Sequence, residues 1–112
     1  EDAIDLGAWR PLTTEGLAEA ADAPAAVQLR RREGLVAYPT GKSAMVFYFF
    51  ARTSARTALS THFADELATP GARGHGPLLF RFSTEPNAER ALAALLDAFV
   101  ARFGSAPVLH DP

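Results

Sequence analysis

The sequence predicts an α+β fold: a small, mostly antiparallel sheet of three to four strands, flanked by helices on both faces. Three patterns predict it. Residues 44–51 form a dense apolar and aromatic run of strand length. Two later segments repeat apolar residues at helical spacing. Between them, Leu78, Phe80 and Phe82 alternate with a period of two. The chain has 112 residues, 48% hydrophobic and 21% charged, which suits one globular domain around one core.

Taken in order, residues 1–12 read as an irregular lead-in. Trp9, the only tryptophan, caps the edge of the core there. A short helix then runs from Thr14, its expected N-cap, to Ala21, with Leu17 inward. Pro24 lies beyond its end, since proline cannot continue the hydrogen-bond ladder. Residues 25–32 read as the first strand, because Val27 and Leu29 alternate with Gln28 and Arg30. Glu33 and Gly34 make a turn, residues 35–38 a second strand, and residues 39–43 a loop. In the next strand, Val46, Tyr48 and Phe50 are expected on one face and Phe47 and Phe49 on the other. Apolar residues on both faces predict a central strand.

Thr53 or Ser54 caps the following helix, predicted to run to about Ala68, with Ala55, Leu59, Phe63 and Leu67 as its buried stripe. Residues 70–77 form a Gly-rich loop, and the strand Leu78–Ser83 follows. Thr84 or Glu85 caps the last helix, with Pro86 in its first turn. Its stripe is Ala88, Leu92, Leu95, Leu96, Phe99 and Phe103, and Gly104 stops it. The tail from residue 105 is expected to pack loosely or fray. Residues 1–112 thus form a single domain: lead-in and short helix over 1–21, core over 22–109, tail over 110–112.

Composition excludes several classes of function. With 11 basic and 13 acidic residues the net charge is −2, and the sequence pI is near 5.9. No whole-molecule field draws the chain to nucleic acid. There is no cysteine, so disulfides and thiolate metal sites are ruled out. No apolar run approaches the roughly 18 residues of a membrane span. The start has no signal-peptide pattern and reads as either a trimmed end or that of an excised domain. Abundant alanine, and arginine greatly outnumbering lysine, suggest a bacterial source, and the expected setting is the cytoplasm.

Few local motifs carry chemistry. Gly41-Lys42-Ser43 lacks the earlier glycine of a phosphate loop, Val36 standing there, and a strand rather than a helix follows. It reads as a hairpin loop. His62, His75 and His110 are scattered, so no histidine metal site is expected. No Gly-x-Ser-x-Gly elbow is present. Arg30, Arg31 and Arg32 read as charges on a solvated edge strand, with phosphate binding the other use. Arg52 and Arg56 flank a strand-to-helix junction. A cation in a first helical turn is disfavoured by the helix dipole, which makes an anionic partner there more plausible.

Four segments together resemble the GIY-YIG nuclease superfamily. Pro24-Ala25-Ala26-Val27-Gln28-Leu29-Arg30 is similar to its opening strand. Val46-Phe47-Tyr48-Phe49-Phe50-Ala51 is similar to its second tyrosine strand, and His62 follows at the family's distance. Ala88–Phe103, then Gly104 and Pro107-Val108-Leu109, is similar to its closing helix and Gly-x-x-Pro segment. The departures fall on the family's chemistry. Val27 stands at the first tyrosine, Phe50 at the glycine after Tyr48, and Ala58 at the helix arginine. Leu92 and Ala93 stand where the metal-binding glutamate belongs, with Glu89 the acid nearest by. Residues 35–44 look like an insertion, from which Tyr38 could stand in for the lost tyrosine.

The resemblance implies a non-catalytic module of this fold, with no cofactor. Its cleft would be lined by Tyr48, Arg52, Arg56, His62, Lys42 and Arg30, for nucleic acid or an acidic protein segment. The alternative is an active endonuclease with migrated residues, in which Tyr48, Arg56, His62 and Glu89 act and Mg is the metal. A third reading is a structural dimerisation domain.

Overall fold

A computed structural model of the chain describes residues 5–110. The elements are β1 (Arg10–Pro11), α1 (Thr14–Leu17), β2 (Ala25–Arg31), β3 (Val36–Tyr38), β4 (Gly41–Ser43), β5 (Met45–Ala51), α2 (Ala55–His62), α3 (Ala64–Ala68), β6 (Leu78–Ser83) and α4 (Ala88–Phe103). Four strands form an antiparallel sheet in the order β1-β6-β2-β5, and β3 and β4 form a separate hairpin. The predicted α+β class holds, with helices on both faces.

The sheet has two cores because strand residues alternate between its faces. On one side Val27, Leu29, Phe80, Leu59 and Phe63 pack together, closed by α1, α2 and α3. On the other, α4 lays Ala88, Leu92 and Phe99 against Ala26 and Tyr48, with Tyr38 and Phe103 at the margin. Tyr38 meets the Phe99 ring edge-on at 5.1 Å. Each fully buried large side chain contributes about 1.5–3 kcal/mol of transfer free energy.

The middle of the sheet is β2, not β5. Residues 25–29 of β2 are all buried, whereas β5 lies at the edge. Segment 44–51 is apolar on both faces because both faces carry helices, a condition an edge strand also meets. By the same topology, Arg30 and Arg31 end an interior strand rather than an edge one. The outer rim of β5 is occupied by the segment 107–110 of the tail, expected to pack loosely or fray and instead held by hydrogen bonds. The Leu109 N–H donates to the Val46 carbonyl at 2.9 Å, the Tyr48 N–H donates to His110 Nε2 at 3.0 Å, and Pro107 is buried. Val46 also departs from the simple alternation. The β2–β5 register shifts beside it, Leu29 facing Phe47 and Arg30 facing Met45, so Val46 is a bulge residue that joins the core with Val27 and Leu29.

The helices follow the expected positions with four differences. Thr13, not Thr14, caps α1, its Oγ1 accepting from the Gly16 N–H at 3.0 Å. The helix ends after one turn, with Glu19 and Ala20 bonding three residues back in 3₁₀ fashion. Gly16 is obligatory there, because a Cβ would collide with the Pro11 carbonyl. The helix predicted through Ala68 breaks at Phe63, whose φ of −116° and ψ of 32° separate α2 from α3 while its ring stays buried. Ser54 does cap α2, accepting from the Thr57 N–H at 3.1 Å. Asn87 rather than Thr84 or Glu85 precedes α4, placing Pro86 just outside it. Gly104 closes α4 in the left-handed conformation at φ 83°, as its position predicts.

The loop predicted over 39–43 is mostly hairpin: Tyr38 pairs with Gly41 across a two-residue turn. The lead-in contributes β1, and the Phe82 N–H donates to the Leu6 carbonyl at 3.2 Å. Loop 70–77 is held by a buried acid that no sequence pattern marks. Glu66 accepts from the Gly71 and Arg73 N–H groups, both at 2.9 Å.

Candidate functional site

Strand register builds one polar row across the sheet. Gln28, in central β2, faces Tyr48 of β5 on one side and Arg81 of β6 on the other. Directly paired residues project to the same face, here the α4 face. β1 extends the row: Arg10 pairs with Phe80, so the preceding residue, Trp9, comes beside Arg81. The Arg81 guanidinium carbon stands 4.4 Å from the Trp9 ring centroid, and that of Arg30 is 5.5 Å from it. Arg30 lies two residues beyond Gln28 in β2 and so shares its face. Helix α4 packs on β2, β5 and β4. The half-buried Arg81 and Trp9 end of the row therefore lies open beside the helix.

The hydrogen bonds make this row a surface of donors. Gln28 is only 2% exposed, and its Oε1 accepts from Arg81 Nε at 2.7 Å. Its amide nitrogen has no hydrogen-bond partner among the described residues. No fully enclosed side-chain nitrogen or oxygen there is left unsatisfied, so this nitrogen must reach solvent. Arg30 spends its Nε on the Arg31 carbonyl at 3.1 Å. The ion pairs among the described residues are Arg10–Glu19, Arg52–Glu89 and Arg73–Asp65, so no carboxylate among them pairs with Arg30 or Arg81.

The electrostatics follow. Burial pulls the Arg81 guanidinium below its usual pKa. The Tyr48 phenol opposes that shift and the like charge of Arg30 adds to it. An arginine begins so far above neutrality that Arg81 stays charged. Burial raises the Tyr48 phenol, opposed by Arg81 and assisted by Tyr38, so Tyr48 remains a neutral hydroxyl and a donor at pH 7. Two cations, an amide N–H₂ and a phenol, with the amide oxygen already used, can receive an anion and offer nothing to a metal.

The residues singled out from sequence are scattered over the molecule. Tyr48 and Arg30 belong to this row. His62 is on the opposite face, its ring stacked on Phe47 at 5.6 Å with the planes 6° apart. His62 and Arg52 line a shallow groove with Phe47, Phe49, Ala58 and Thr61. Arg56 turns away to the end of α1, donating to the Ala20 and Ala18 carbonyls at 3.1 and 3.3 Å. Lys42 is exposed on the β3–β4 hairpin. Glu89, in the first turn of α4, pairs with Arg52 at 2.9 Å, both side chains exposed. Tyr48, Arg56, His62 and Glu89 thus do not converge, and Tyr48 and His62 share no cleft. Tyr38, the stand-in for the lost tyrosine, donates its hydroxyl to the Met45 carbonyl at 2.7 Å and accepts from the Val108 N–H at 3.1 Å. It fastens the tail.

Sequence reasoning missed Gln28, Arg81 and Trp9 as site residues. A signal existed: Gln28 interrupts an apolar strand, and Arg81 sits between Phe80 and Phe82. Only strand order places them side by side, and strand order has no local code.

No group of three or more histidine, aspartate or glutamate side chains is placed to hold a metal ion among the described residues. No described helix is long and apolar enough to cross a membrane. No protein-family model, curated protein or solved structure matches the chain.

Proposed function

We propose that the chain is a non-catalytic binding module for an anionic partner, and that the row of Tyr48, Gln28, Arg81 and Trp9, with Arg30, receives it. The observation that carries this reading is the pair of unneutralised guanidiniums over one indole, backed by a buried amide whose free N–H₂ reaches solvent. Two like charges held together on a half-buried surface cost free energy. A bound anion offsets that cost through charge-assisted hydrogen bonds. This site departs from the cleft implied by the GIY-YIG resemblance, keeping Tyr48 and Arg30 and exchanging the α2 residues for Arg81, Gln28 and Trp9.

The GIY-YIG relationship itself stands as a proposal. It is supported by the quoted segments and by an antiparallel sheet with helices on both faces. The endonuclease alternative, with Mg, is less well supported, because its four residues are spread over both faces of the sheet.

The test uses the single tryptophan. Intrinsic fluorescence of the whole chain is followed during titration with an acidic peptide, a single-stranded oligonucleotide and a polycationic control. Saturable change with an anionic probe, absent with the polycation and weakened in Arg81→Met, is the expected result. No response to any anion would overturn the reading. So would metal-dependent DNA cleavage lost in Tyr48→Phe.

A further inference from the structure

We infer that the anionic group this row accepts is a phosphate monoester in its dianionic form, an inference that rests on the binding function proposed above. An arginine has five N–H donors, and Arg30 and Arg81 have each spent only Nε within the protein. Their remaining N–H groups, together with the Gln28 N–H₂, leave donors in excess at the open end of the row. Among the described residues, no carboxylate pairs with either of these two positive charges. A carboxylate or a phosphodiester brings one negative charge and leaves a cation unneutralised at a partly desolvated site. A phosphate monoester brings nearly two charges at pH 7 and three strong acceptor oxygens.

Gln28 separates this site from a chance cluster of arginines. It is almost wholly buried at the centre of the sheet, its oxygen committed to Arg81 and its nitrogen left over. That bond fixes the guanidinium fork, so its terminal N–H groups are aimed rather than floppy. Desolvation of Arg81 and its repulsion by Arg30 act in the same direction, both relieved by a dianion. Trp9 is already covered by two guanidiniums, which leaves its face poorly placed to stack a nucleobase. The phosphate, not a base, is therefore what the row reads.

The experiment compares phenyl phosphate with phenyl sulfate, which have the same tetrahedral shape and differ in charge, by calorimetry on the whole chain. At pH 7.5 phenyl phosphate is expected to bind at least about tenfold more tightly. From pH 7.5 to pH 5 its affinity is expected to fall about tenfold as the second ionisation near pH 6 is lost, while phenyl sulfate stays unchanged. Arg81→Met and Arg30→Met, checked for folding by circular dichroism, are each expected to erase the preference. Phosphoserine and a nucleoside monophosphate serve as further arms, and whichever binds more tightly identifies the source of the phosphate. Equal affinity for the phenyl phosphate and sulfate esters, or a flat pH profile with phenyl phosphate, overturns the inference. If the acidic peptide or the oligonucleotide still binds in that case, the broader binding function survives. If no anion binds, both fall.

Discussion

Gln28 and Arg81 are joined across adjacent strands by a 2.7 Å hydrogen bond from the guanidinium Nε to the amide oxygen, at the centre of a sheet whose neighbouring residues are apolar. The bond sets the aim of Arg81, and its removal has consequences for both stability and binding. In Gln28→Leu the apolar replacement is close in volume, but Arg81 keeps a half-buried donor without a partner. The expected cost is about 1–3 kcal/mol, read from denaturant unfolding, with weaker anion affinity alongside. Unchanged stability together with unchanged affinity would remove Gln28 from the site.

Trp9 reports on Arg81 directly, because the chain has no other tryptophan. A guanidinium 4.4 Å from the ring centroid shields the indole and contributes about 0.5–2 kcal/mol. Arg81→Met should shift Trp9 emission to the red and increase its quenching by acrylamide, and Arg30→Met should do so less. An Arg81→Met spectrum that overlays the parent's would refute the stacking.

The two tyrosines are both raised above their ordinary pKa by burial, Tyr38 against the lowering effect of the Val108 N–H and Tyr48 against that of Arg81. The unfolded chain ionises near pH 10, before the folded one does. Above that value the unfolded state binds fewer protons than the native state, so stability falls with rising pH until the native phenols ionise as well. Below it, the phenols leave stability unchanged. Tyrosinate absorbance should rise later in the native protein than in denaturant. Tyr48→Phe should remove one of the two native steps and flatten the alkaline loss of stability. A native titration superimposable on the denatured one would contradict the burial argument.

Glu66 organises the loop after α3 through two backbone N–H groups, and its side chain is almost wholly enclosed. Glu66→Gln replaces one acceptor oxygen with a donor that faces an N–H. The expected loss is about 1–3 kcal/mol, with faster amide exchange confined to Gly71, Arg73 and their neighbours. Exchange accelerated uniformly across the chain, rather than in this loop, would argue for a global role instead.

Asp65 bonds the Arg73 guanidinium with both carboxylate oxygens, and that hydrogen bond is the largest cause of its lowered pKa, burial opposing it. A lowered native pKa gives a contribution present above the unfolded value and lost as pH falls through the native one. Between neutral pH and pH 5 the pair should therefore leave stability unchanged, and the loss should appear only in the acid limb below about pH 4. Asp65→Asn should lower stability at neutral pH and flatten that acid limb. The difference from the parent should shrink as the parent's own carboxylate is protonated.

The α+β class, most strand positions, the Ser54 cap and the Gly104 stop were legible in the sequence, since each depends on residues close along the chain. Period-two alternation places Val27 and Leu29 on one face whatever the neighbouring strand. A left-handed turn after Phe103 selects glycine locally. Other features were not legible from local pattern. The apolar run from Met45 to Ala51 reads as central because both its faces are covered, yet the number of neighbours a strand has is decided by topology. Phe63 fits a continuous helical stripe, but burying its ring between Phe47 of the sheet and the Arg73 guanidinium accompanies a break there.

By itself the sequence determined the α+β class, the strands β2, β5 and β6, the cap that starts α2, the glycine that stops α4, and that a packed core forms, because propensity, periodicity and capping act over a few residues. Tertiary structure alone decided that Tyr48 and His62 stand on opposite faces, and that Trp9, Gln28, Tyr48 and Arg81 fall into one row. The physical reason is that hydrogen-bonded register carries side chains from distant parts of the chain to neighbouring points on one sheet face, and shifting a strand by one residue moves its whole set to the other.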